Sequence, residues 1–355
     1  MAIVPIRLSS VLFAILSFLV LVVSPICGLG EEGGAHEHEI GQNYTRDGRI
    51  VGGTAVISQD VHPYFVRLRV DNPANLLHCG GSLIGPDLVL SAAHCFHKKL
   101  IVGVNAYYLK NSNVPQSKEI QRKVERIIVH PEYKPATFEN DVMILVLSQE
   151  VTGVQPIKLN QDEETPRVGT DVKSVGLGST DANDFIPAGY LQEVTLTTFS
   201  NSFCNSKTSY DGLVKEPIMF CAGFQKGRSS VPRDTCFGDS GGPSLQMIKN
   251  EPVQVGIVSW GVGCAEQSFP GVYADVAALY KWIEKTGCDH SKSKSSGHLS
   301  CHKGSTQAKT LDRKHINRSR KRRPSQTGGG SGGNTQRQRS GFRPDANYVR
   351  RRPGA

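Results

Sequence analysis

The clearest chemical feature of this sequence is the stretch Asp234-Thr235-Cys236-Phe237-Gly238-Asp239-Ser240-Gly241-Gly242-Pro243. A serine hydroxyl is a weak nucleophile, so catalysis requires a neighbouring base and hydrogen-bond donors for the oxyanion that forms. Glycine has no Cβ, which lets the backbone turn its N–H groups toward such an oxyanion. Ser240 is therefore the candidate nucleophile, and the N–H groups of Gly238 and Ser240 are the candidate oxyanion hole.

Two other structures can contain such a pattern. Gly, Asp and Ser dominate surface turns, so a plain turn is one alternative. The nucleophile elbow of α/β-hydrolases is the other, and there the Asp and His partners follow the serine. The histidines that follow Ser240 all lie in a polar segment: His290, His298, His302 and His315. Better partners precede Ser240, namely His94 within Ser91-Ala92-Ala93-His94-Cys95 and Asp141 before the apolar run 142–147.

The order His94, Asp141, Ser240 resembles that of the chymotrypsin-like (trypsin family) serine endopeptidases, and the resemblance covers a protease domain over residues 50–288. It implies an all-β fold of two six-stranded antiparallel β-barrels with a C-terminal helix and a cleft between the barrels. It also implies the catalytic roles. Ser240 attacks the peptide carbonyl, His94 accepts and later returns a proton, and Asp141 orients the imidazole.

The pattern of apolar residues agrees with this fold. Short apolar runs alternate with turn residues over about 50–160 and again over 161–274, which is typical of antiparallel barrels. A helix is predicted over about 275–287, with Asp275 as its N-cap and Gly287 as its stop. Its apolar residues recur at helical spacing: Val276, Leu279, Tyr280 and Ile283.

A second motif, Arg49-Ile50-Val51-Gly52-Gly53, resembles the activation junction of a zymogen in this family. Cleavage after Arg49 would free an ammonium at Ile50, which the resemblance places against Asp239, so that the Gly238 N–H moves into the oxyanion hole. Losing one partner of a buried ion pair costs about 3–5 kcal/mol, enough to bias a loop between two states. The alternative is a strand start after an Arg-containing loop. No cysteine lies within 29–78, so the cut pro-segment is expected to depart.

The predicted specificity depends on Asp234, six residues before Ser240, where trypsin-like members carry an acidic pocket floor. A carboxylate there selects Lys or Arg, because a neutral side chain would leave it unpaired. The alternative is an exposed loop residue. Further substrate contacts are expected from a hydroxyl and from the pocket walls, with an aromatic residue near the floor: Thr235, Ser259, Trp260, Gly261, Gly271 and Tyr273.

Several positions depart from the family pattern. Leu177 stands between two glycines where a tryptophan is usual, and Phe237 occupies a rim position where glutamine is common. Val104 and Asn105 stand near the first acidic ligand of the calcium loop of trypsins, so no calcium site of that type is predicted. Pro270 replaces the aromatic residue of sodium-dependent members. Neither a cofactor nor a metal is expected.

The nine cysteines are expected to form disulfides, because the N-terminal sequence predicts an oxidising compartment. The family resemblance implies three pairs: Cys79 with Cys95, Cys204 with Cys221, and Cys236 with Cys264. Cys288 and Cys301 remain and could pair with each other. Cys27 leaves with a signal peptide only if cleavage follows it, a point that the sequence leaves open.

The N-terminal segment 1–28 has the pattern of a secretory signal peptide, with a basic residue ahead of a short apolar run. A membrane anchor is the alternative, but the apolar run is short of the roughly 20 residues that a span needs. Residues 29–49 are predicted to be an activation pro-segment, and they contain the glycosylation sequon Asn43-Tyr44-Thr45. The protein is therefore predicted to be secreted and extracellular.

The charge of the chain is concentrated at its C-terminal end. Residues 289–355 contain 17 Lys/Arg and 3 Asp/Glu, a net charge of +14, whereas residues 1–288 contain 24 and 29, a net charge of −5. A segment so polar cannot bury a core, so it is predicted to be a disordered tail. It is either a solvated tail that proteolysis removes, by this enzyme or another, or a tether to a polyanion.

The predicted function is a secreted serine endopeptidase zymogen that cleaves after Arg or Lys. The expected partners are protein or peptide substrates and protein protease inhibitors, and the chain is expected to be a monomer without stable membrane insertion. The alternative is a catalytically idle cationic binding protein on the same fold, which only the basic tail favours.

Overall fold

The computed structural model describes residues 50–72, 77–109, 117–182, 186–227, 231–293 and 297–301. The predicted signal peptide, the pro-segment with Arg49 and residues 302–355 lie outside these ranges. The described strands are β1 Thr54–Ala55, β2 Phe65–Val70, β3 Cys79–Gly85, β4 Leu88–Ser91, β5 Leu100–Val104, β6 Ile120–Val129, β7 Met143–Leu147, β8 Lys158–Leu159, β9 Asp171–Gly176, β10 Gln192–Phe199, β11 Met219–Gly223, β12 Pro243–Ile248, β13 Glu251–Trp260 and β14 Gly271–Asp275. The described helices are a 3₁₀ turn, Ala93–Cys95, and two α-helices, α1 Asn201–Cys204 and α2 Val276–His290.

The first barrel consists of β2 to β7. The strands close in the order β2-β3-β4-β7-β6-β5, and each pairing is antiparallel. Every residue of β3, β4 and β7 is buried, whereas β6 carries exposed residues among partly buried ones. Strand β6 has a side that faces solvent, and this explains why its sequence is more polar than those of β3, β4 and β7.

The second barrel consists of β9 to β14. Its strands follow the order β10-β11-β14-β13-β12-β9, and β9 also pairs with β10, which closes the ring. The short strand β1 pairs with β10, and β8 pairs in parallel with β13. The predicted pair of six-stranded antiparallel barrels is thus confirmed.

Helix α2 follows β14 directly and packs on the barrels. Asp275 caps it, since its carboxylate accepts hydrogen bonds from Ala277 N and Ala278 N. The helix does not stop at Gly287 as predicted but continues to His290. Gly287 is a packing position, because a Cβ there would lie 2.7 Å from Leu299 Cδ1.

The chain beyond α2 also differs from the prediction. Residues 291–293 and 297–301 lie against the first barrel, and Leu299 belongs to the main hydrophobic core. The composition of the whole segment 289–355 suggested a tail from its first residue, because the apolar content is low. A single buried leucine and a disulfide were enough to move the boundary of the folded body to Cys301.

Four disulfides join described residues. Three are the pairs implied by the family resemblance: Cys79–Cys95, Cys204–Cys221 and Cys236–Cys264. The fourth is the pair that the sequence left open, Cys288–Cys301.

Among the described residues, none of the helices has both the length and the apolar character that a membrane crossing requires.

Candidate active site

The centre of the cleft is a histidine held by a buried carboxylate. His94 lies in the 3₁₀ turn that follows β4, and Asp141 lies two residues before the start of β7, which is the strand paired with β4. His94 Nδ1 lies 2.7 Å from Asp141 Oδ2, and the His94 backbone N donates to Asp141 Oδ1 at 2.9 Å. Asp141 is 0% exposed. Because an ionised carboxylate can only accept, Nδ1 carries a proton, which leaves Nε2 as the base when the ring is neutral.

A third donor to Asp141 comes from the other barrel. Ser259, in β13, donates from its Oγ to Asp141 Oδ2. Burial alone would lower the pKa of His94, but the charge of Asp141 and its hydrogen bond outweigh burial, and the pKa of His94 is raised above its usual 6.5. The sequence interpretation placed Ser259 in the pocket wall, and the structure adds a hydrogen bond from its side chain to the Asp141 carboxylate.

The nucleophile loop is held by both barrels. Gly80 N, in β3, donates to Ser240 O at 2.8 Å, and Gly241 N donates to Val258 O at 2.8 Å. Val258 is the neighbour of Ser259, so the same strand that supports Asp141 also supports the serine loop. No hydrogen bond joins Ser240 Oγ to His94 Nε2 in the described structure. Such bonds are often long in ligand-free enzymes and shorten when substrate binds.

The backbone next to Ser240 leaves two donors free. Gly238 has φ 94°, a conformation that favours glycine, and the loop is fixed by a hydrogen bond from Asp239 N to Cys236 O at 3.0 Å. Among the described residues, neither Gly238 N nor Ser240 N has an acceptor. Two adjacent N–H groups without partners beside a serine hydroxyl suit a developing oxyanion.

Asp239, between these two donors, is a second buried carboxylate. Its Oδ1 accepts from Gly178 N at 2.8 Å, and its Oδ2 accepts from Cys236 N at 2.9 Å. None of the described cationic side chains pairs with it, and burial raises its pKa to about 7. A Cβ at Gly176 would lie 2.0 Å from Asp239 Oδ1, so glycine is required there.

The predicted pocket floor is a third buried carboxylate. Asp234 is 4% exposed, and its Oδ2 accepts from Ala265 N at 2.8 Å. Its Oδ1 has no partner. Burial, with a smaller contribution from the charge of Asp239, raises the pKa of Asp234 to about 7. A buried carboxylate with one unpaired oxygen is suited to a cation from outside the chain.

Two glycines predicted to line the pocket lie close to this carboxylate or to each other. A Cβ at Gly271 would lie 3.1 Å from Asp234 Oδ1, and a Cβ at Gly261 would lie 3.8 Å from Gly271 Cα. Thr235 Oγ1 lies 3.2 Å from Tyr273 OH, so the predicted hydroxyl and the predicted aromatic floor are joined to each other. At Gly271 the residue beside the carboxylate is therefore one that adds no side chain.

Comparison with known proteins agrees with this geometry. The sequence model of the Trypsin family matches residues 50–283. Trypsin II-P29 of Gallus gallus is 36% identical over 243 residues, which are 68% of this chain and 90% of that protein. Trypsin of Sus scrofa is 34% identical over 241 residues, or 68% of this chain and 96% of that protein. Transmembrane protease serine 5 of Homo sapiens is 36% identical over 248 residues, 68% of this chain and 52% of that protein.

The chain belongs to the trypsin family of serine proteases. It is therefore a serine endopeptidase, a hydrolase of a family whose members act on peptide substrates and are inhibited by protein inhibitors. The family match ends at residue 283, so helix α2 is covered only in part and the chain beyond it is outside the match.

Within this trypsin-family cleft, one aromatic residue escaped the sequence interpretation. The ring of Phe138 lies 5.7 Å from that of His94 and stacks on Trp260 at 6.3 Å. The ring of Tyr210 also contacts Trp260, edge to face, with ring centroids 4.8 Å apart. Phe138 precedes Asp141 by three residues, and this closeness in sequence is the only signal that could have indicated its place beside the triad.

A buried ion pair joins strand β2 to the residue before β6. Arg67 Nη2 donates to both carboxylate oxygens of Glu119 at 2.8 Å, and both side chains are buried. Near the triad, Cys79 and Cys95 lie beside His94, but their disulfide leaves no thiolate to bind a metal.

Proposed function

We propose that the protein is a secreted, trypsin-like endopeptidase that hydrolyses peptide bonds after Arg or Lys and is made as a zymogen activated by cleavage after Arg49. The single observation that carries the specificity is the unpaired Oδ1 of the buried Asp234 carboxylate. A guanidinium or ammonium would supply its missing partner, whereas a neutral side chain would leave the carboxylate buried and unpaired.

The proposed reaction uses three residues. Ser240 Oγ attacks the carbonyl carbon of the Arg or Lys residue while His94 Nε2 takes its proton. Gly238 N and Ser240 N would receive the oxyanion, and the charge of Asp141 stabilises the imidazolium. His94 then protonates the leaving amine, and water repeats the sequence to release the acid. The three hydrogen bonds to Asp141 support this assignment, because they fix the imidazole in the required tautomer.

Activation is proposed to act through Asp239. Ile50 is fully buried among apolar residues of the second barrel, so cleavage after Arg49 would create its ammonium inside the body. The carboxylate of Asp239 has only backbone N–H partners among the described residues and a pKa of about 7. An ammonium there would ionise Asp239 and hold the adjacent Gly238 N–H in place.

The test uses matched Arg, Lys, Phe and Ala chromogenic peptides with uncleaved protein and with protein cleaved after Arg49. Rapid hydrolysis of the Arg and Lys peptides only after cleavage is expected. Hydrolysis of the Phe peptide instead would contradict the role of Asp234 while leaving the triad intact. If neither form labels with a fluorophosphonate at Ser240, the protein is an idle binding protein.

The basic C-terminal segment supports a second, separate proposal, that it binds polyanions such as sulfated glycans. The supporting observation is the contrast between +14 over residues 289–355 and −5 over the remainder. Retention on a heparin column is expected to fall when the chain is truncated after Cys301. Unchanged retention would show that the folded body, not the segment, carries the binding.

A further inference from the structure

Strand β9 carries a serine at a position where the barrel pattern predicts an apolar residue. Val172, two positions earlier in β9, belongs to the apolar core of the second barrel, and side chains two positions apart lie on the same face of a strand. Ser174 is 0% exposed on that face. Because a buried hydroxyl is costly unless it is hydrogen-bonded, Ser174 needs a partner inside the barrel.

Two partners lie within reach of Ser174. Its Oγ is placed to donate to Ser244 Oγ, on the neighbouring strand β12, at 3.2 Å and to Tyr273 OH, on β14, at 3.4 Å. Ser244 and Tyr273 are both 0% exposed. The ring of Tyr273 stacks on Phe220 with centroids 5.2 Å apart and an interplanar angle of 11°, which holds the phenol in place. Three hydroxyls are therefore joined inside the second barrel.

These hydroxyls continue to the predicted pocket floor. Tyr273 OH lies 3.2 Å from Thr235 Oγ1, and either oxygen can be the donor. A Cβ at Gly271 would lie 3.4 Å from each of these two oxygens and 3.1 Å from Asp234 Oδ1, so all three oxygens lie around the space that glycine leaves. We name the connected side chains the hydroxyl row: Ser244, Ser174, Tyr273 and Thr235.

Each hydroxyl has one proton to donate, so the hydroxyl row can take two orders. In the first order Ser174 donates to Tyr273, and Tyr273 donates to Thr235. The proton of Thr235 is then directed into the pocket. In the reverse order Thr235 donates to Tyr273, Tyr273 donates to Ser174, and Ser174 donates to Ser244. The lone pairs of Thr235 then face the pocket.

We propose that Ser174 is a positioning residue for the specificity pocket, because it allows the order in which Thr235 accepts hydrogen bonds from a substrate cation. An ammonium or guanidinium offers only donors, so a proton of Thr235 in the pocket would oppose it. Ser174 is fully buried and therefore acts through Tyr273 and Thr235, without touching the substrate. The inference rests on the Arg/Lys specificity proposed above.

The effect differs between the two cations that the pocket is proposed to accept. The ammonium of Lys carries three donors on one nitrogen, so its hydrogen bonds must end on acceptors that lie close together. The guanidinium of Arg spreads five donors over a planar fork, which gives it more ways to meet a carboxylate. Losing Thr235 as an acceptor therefore weakens the binding of Lys more than that of Arg. Ser174 is expected to favour Lys substrates.

The experiment compares Ser174→Val with Ser174→Thr in protein cleaved after Arg49. The two new side chains have nearly the same shape, but only threonine keeps the hydroxyl. In Ser174→Val the proton of Tyr273 has only Thr235 to accept it, which fixes the first order. Relative to Ser174→Thr, kcat/KM is expected to fall about tenfold for a Lys peptide and about twofold for an Arg peptide. An equal fall for both peptides, or no fall, would overturn the proposal.

Two further variants control for packing. Ser174→Ala, compared with the parent, makes the same test without an added methyl group, and the same preferential loss of Lys hydrolysis is expected. Ser82→Ala is the matched control, because Ser82 is also 0% exposed and donates to Gln254 Oε1, outside the hydroxyl row. Its ratio of Lys to Arg hydrolysis should equal that of the parent. The same change of ratio in Ser82→Ala would show a general effect of a lost buried hydroxyl and overturn the proposal.

Binding measurements separate this inference from the proposed function. Butylamine and benzamidine are titrated by calorimetry into Ser240→Ala with and without Ser174→Val, and Ser174→Val is expected to weaken butylamine binding about tenfold and benzamidine binding about twofold. An unchanged ratio of the two dissociation constants overturns the role of Ser174 alone. If Ser240→Ala binds neither cation, the pocket at Asp234 and the role of Ser174 are both wrong. If the parent binds both cations but hydrolyses neither peptide, the proposed activity is wrong, and the ratio still decides the role of Ser174.

Discussion

The triad carboxylate and the two carboxylates of the nucleophile loop are all buried, but they differ in what surrounds them. Asp141 accepts from a side-chain ring, a backbone N–H and a hydroxyl, all supplied by the chain itself. Asp239 accepts from backbone N–H groups alone, and Asp234 has one oxygen with no partner. Burial raises the pKa of both loop carboxylates to about 7.

This difference separates the part of the site that is complete from the part that awaits a cation. His94 is oriented by groups of the chain itself. The loop of Asp234 and Asp239 instead contains two carboxylates whose ionised forms need positive charge. Under the proposed function, control and specificity would therefore reside in the second-barrel loop, while the base of the reaction would be preformed between the barrels.

The largest expected effect comes from removing the preformed part. Ser240→Ala in the cleaved protein is expected to lower kcat for an Arg peptide by at least about 10⁴-fold, because the nucleophile is gone. The pocket is untouched, so the dissociation constant of an aromatic amidine should not change. Weaker amidine binding by the variant would show that the two parts are not independent.

Asp234→Asn removes the charge that awaits the substrate. A loss of about 10²- to 10⁴-fold in kcat/KM for Arg and Lys peptides is expected, since a buried cation would lose its partner. Fluorophosphonate labelling of Ser240 is measured on the same protein and should keep its rate. Retained Arg/Lys preference would contradict the assignment of the pocket floor.

Asp239→Asn tests the cation proposed for activation. The cleaved variant is expected to lose about 10²- to 10³-fold in kcat/KM, equivalent to about 3–5 kcal/mol for a lost buried ion pair. The uncleaved variant should equal the uncleaved parent, because no ammonium is present in either. A normal gain of activity on cleavage would contradict the proposed ion pair between the Ile50 ammonium and Asp239.

Ser259→Ala removes one of the three hydrogen bonds that Asp141 accepts. A fall in kcat of about tenfold is expected, because a hydrogen bond to a charged group contributes about 1.5–3 kcal/mol. With one donor fewer, Asp141 attracts a proton on His94 more strongly, so the acid limb of the kcat/KM profile should move to higher pH. An unmoved acid limb would mean that the Ser259 hydroxyl does not influence the imidazole.

The smallest expected effect is on the stability of the uncleaved chain. The folded-state pKa of Asp239, about 7, lies above its ordinary 3.8, so the folded chain holds a proton that the unfolded chain has lost. The resulting stability is fully present below about pH 4 and is lost as the pH rises through about 7. In Ser240→Ala, Tm should fall by a few degrees over this range relative to Ser240→Ala/Asp239→Asn. Parallel curves of Tm against pH for the two variants would contradict a raised pKa of Asp239 in the folded chain.

The fold was largely predictable, for a reason visible in particular strands. Strand β7 is a continuous apolar run directly after Asp141, and β3 and β4 lie either side of a short turn before His94. The spacing of apolar and turn residues along the chain is enough to predict these strands and the motifs that lie between them. The catalytic roles stay predictions that the experiments above test, although His94 and Asp141 lie in hydrogen-bond contact as expected.

The average composition of the C-terminal segment predicted a tail from residue 289, but a few contacts hold its first residues on the folded body. Residues 289–301 belong to a polar, basic segment, and no periodicity distinguishes Leu299 from an exposed residue. Its burial depends on Gly287, twelve residues earlier, and on Leu88 in the first barrel. Averages over a window cannot detect one side chain that fits one cavity.

The sequence by itself determined the candidate catalytic residues, their order and the barrel pattern, and the family resemblance it carries implied three of the four described disulfides. The tertiary structure alone decided that Ser259 serves Asp141, 118 residues away, that Phe138 lies beside His94, and that the chain is anchored as far as Cys301. The physical reason is that motifs act through neighbours in the chain, whereas hydrogen bonds and packing act through neighbours in space.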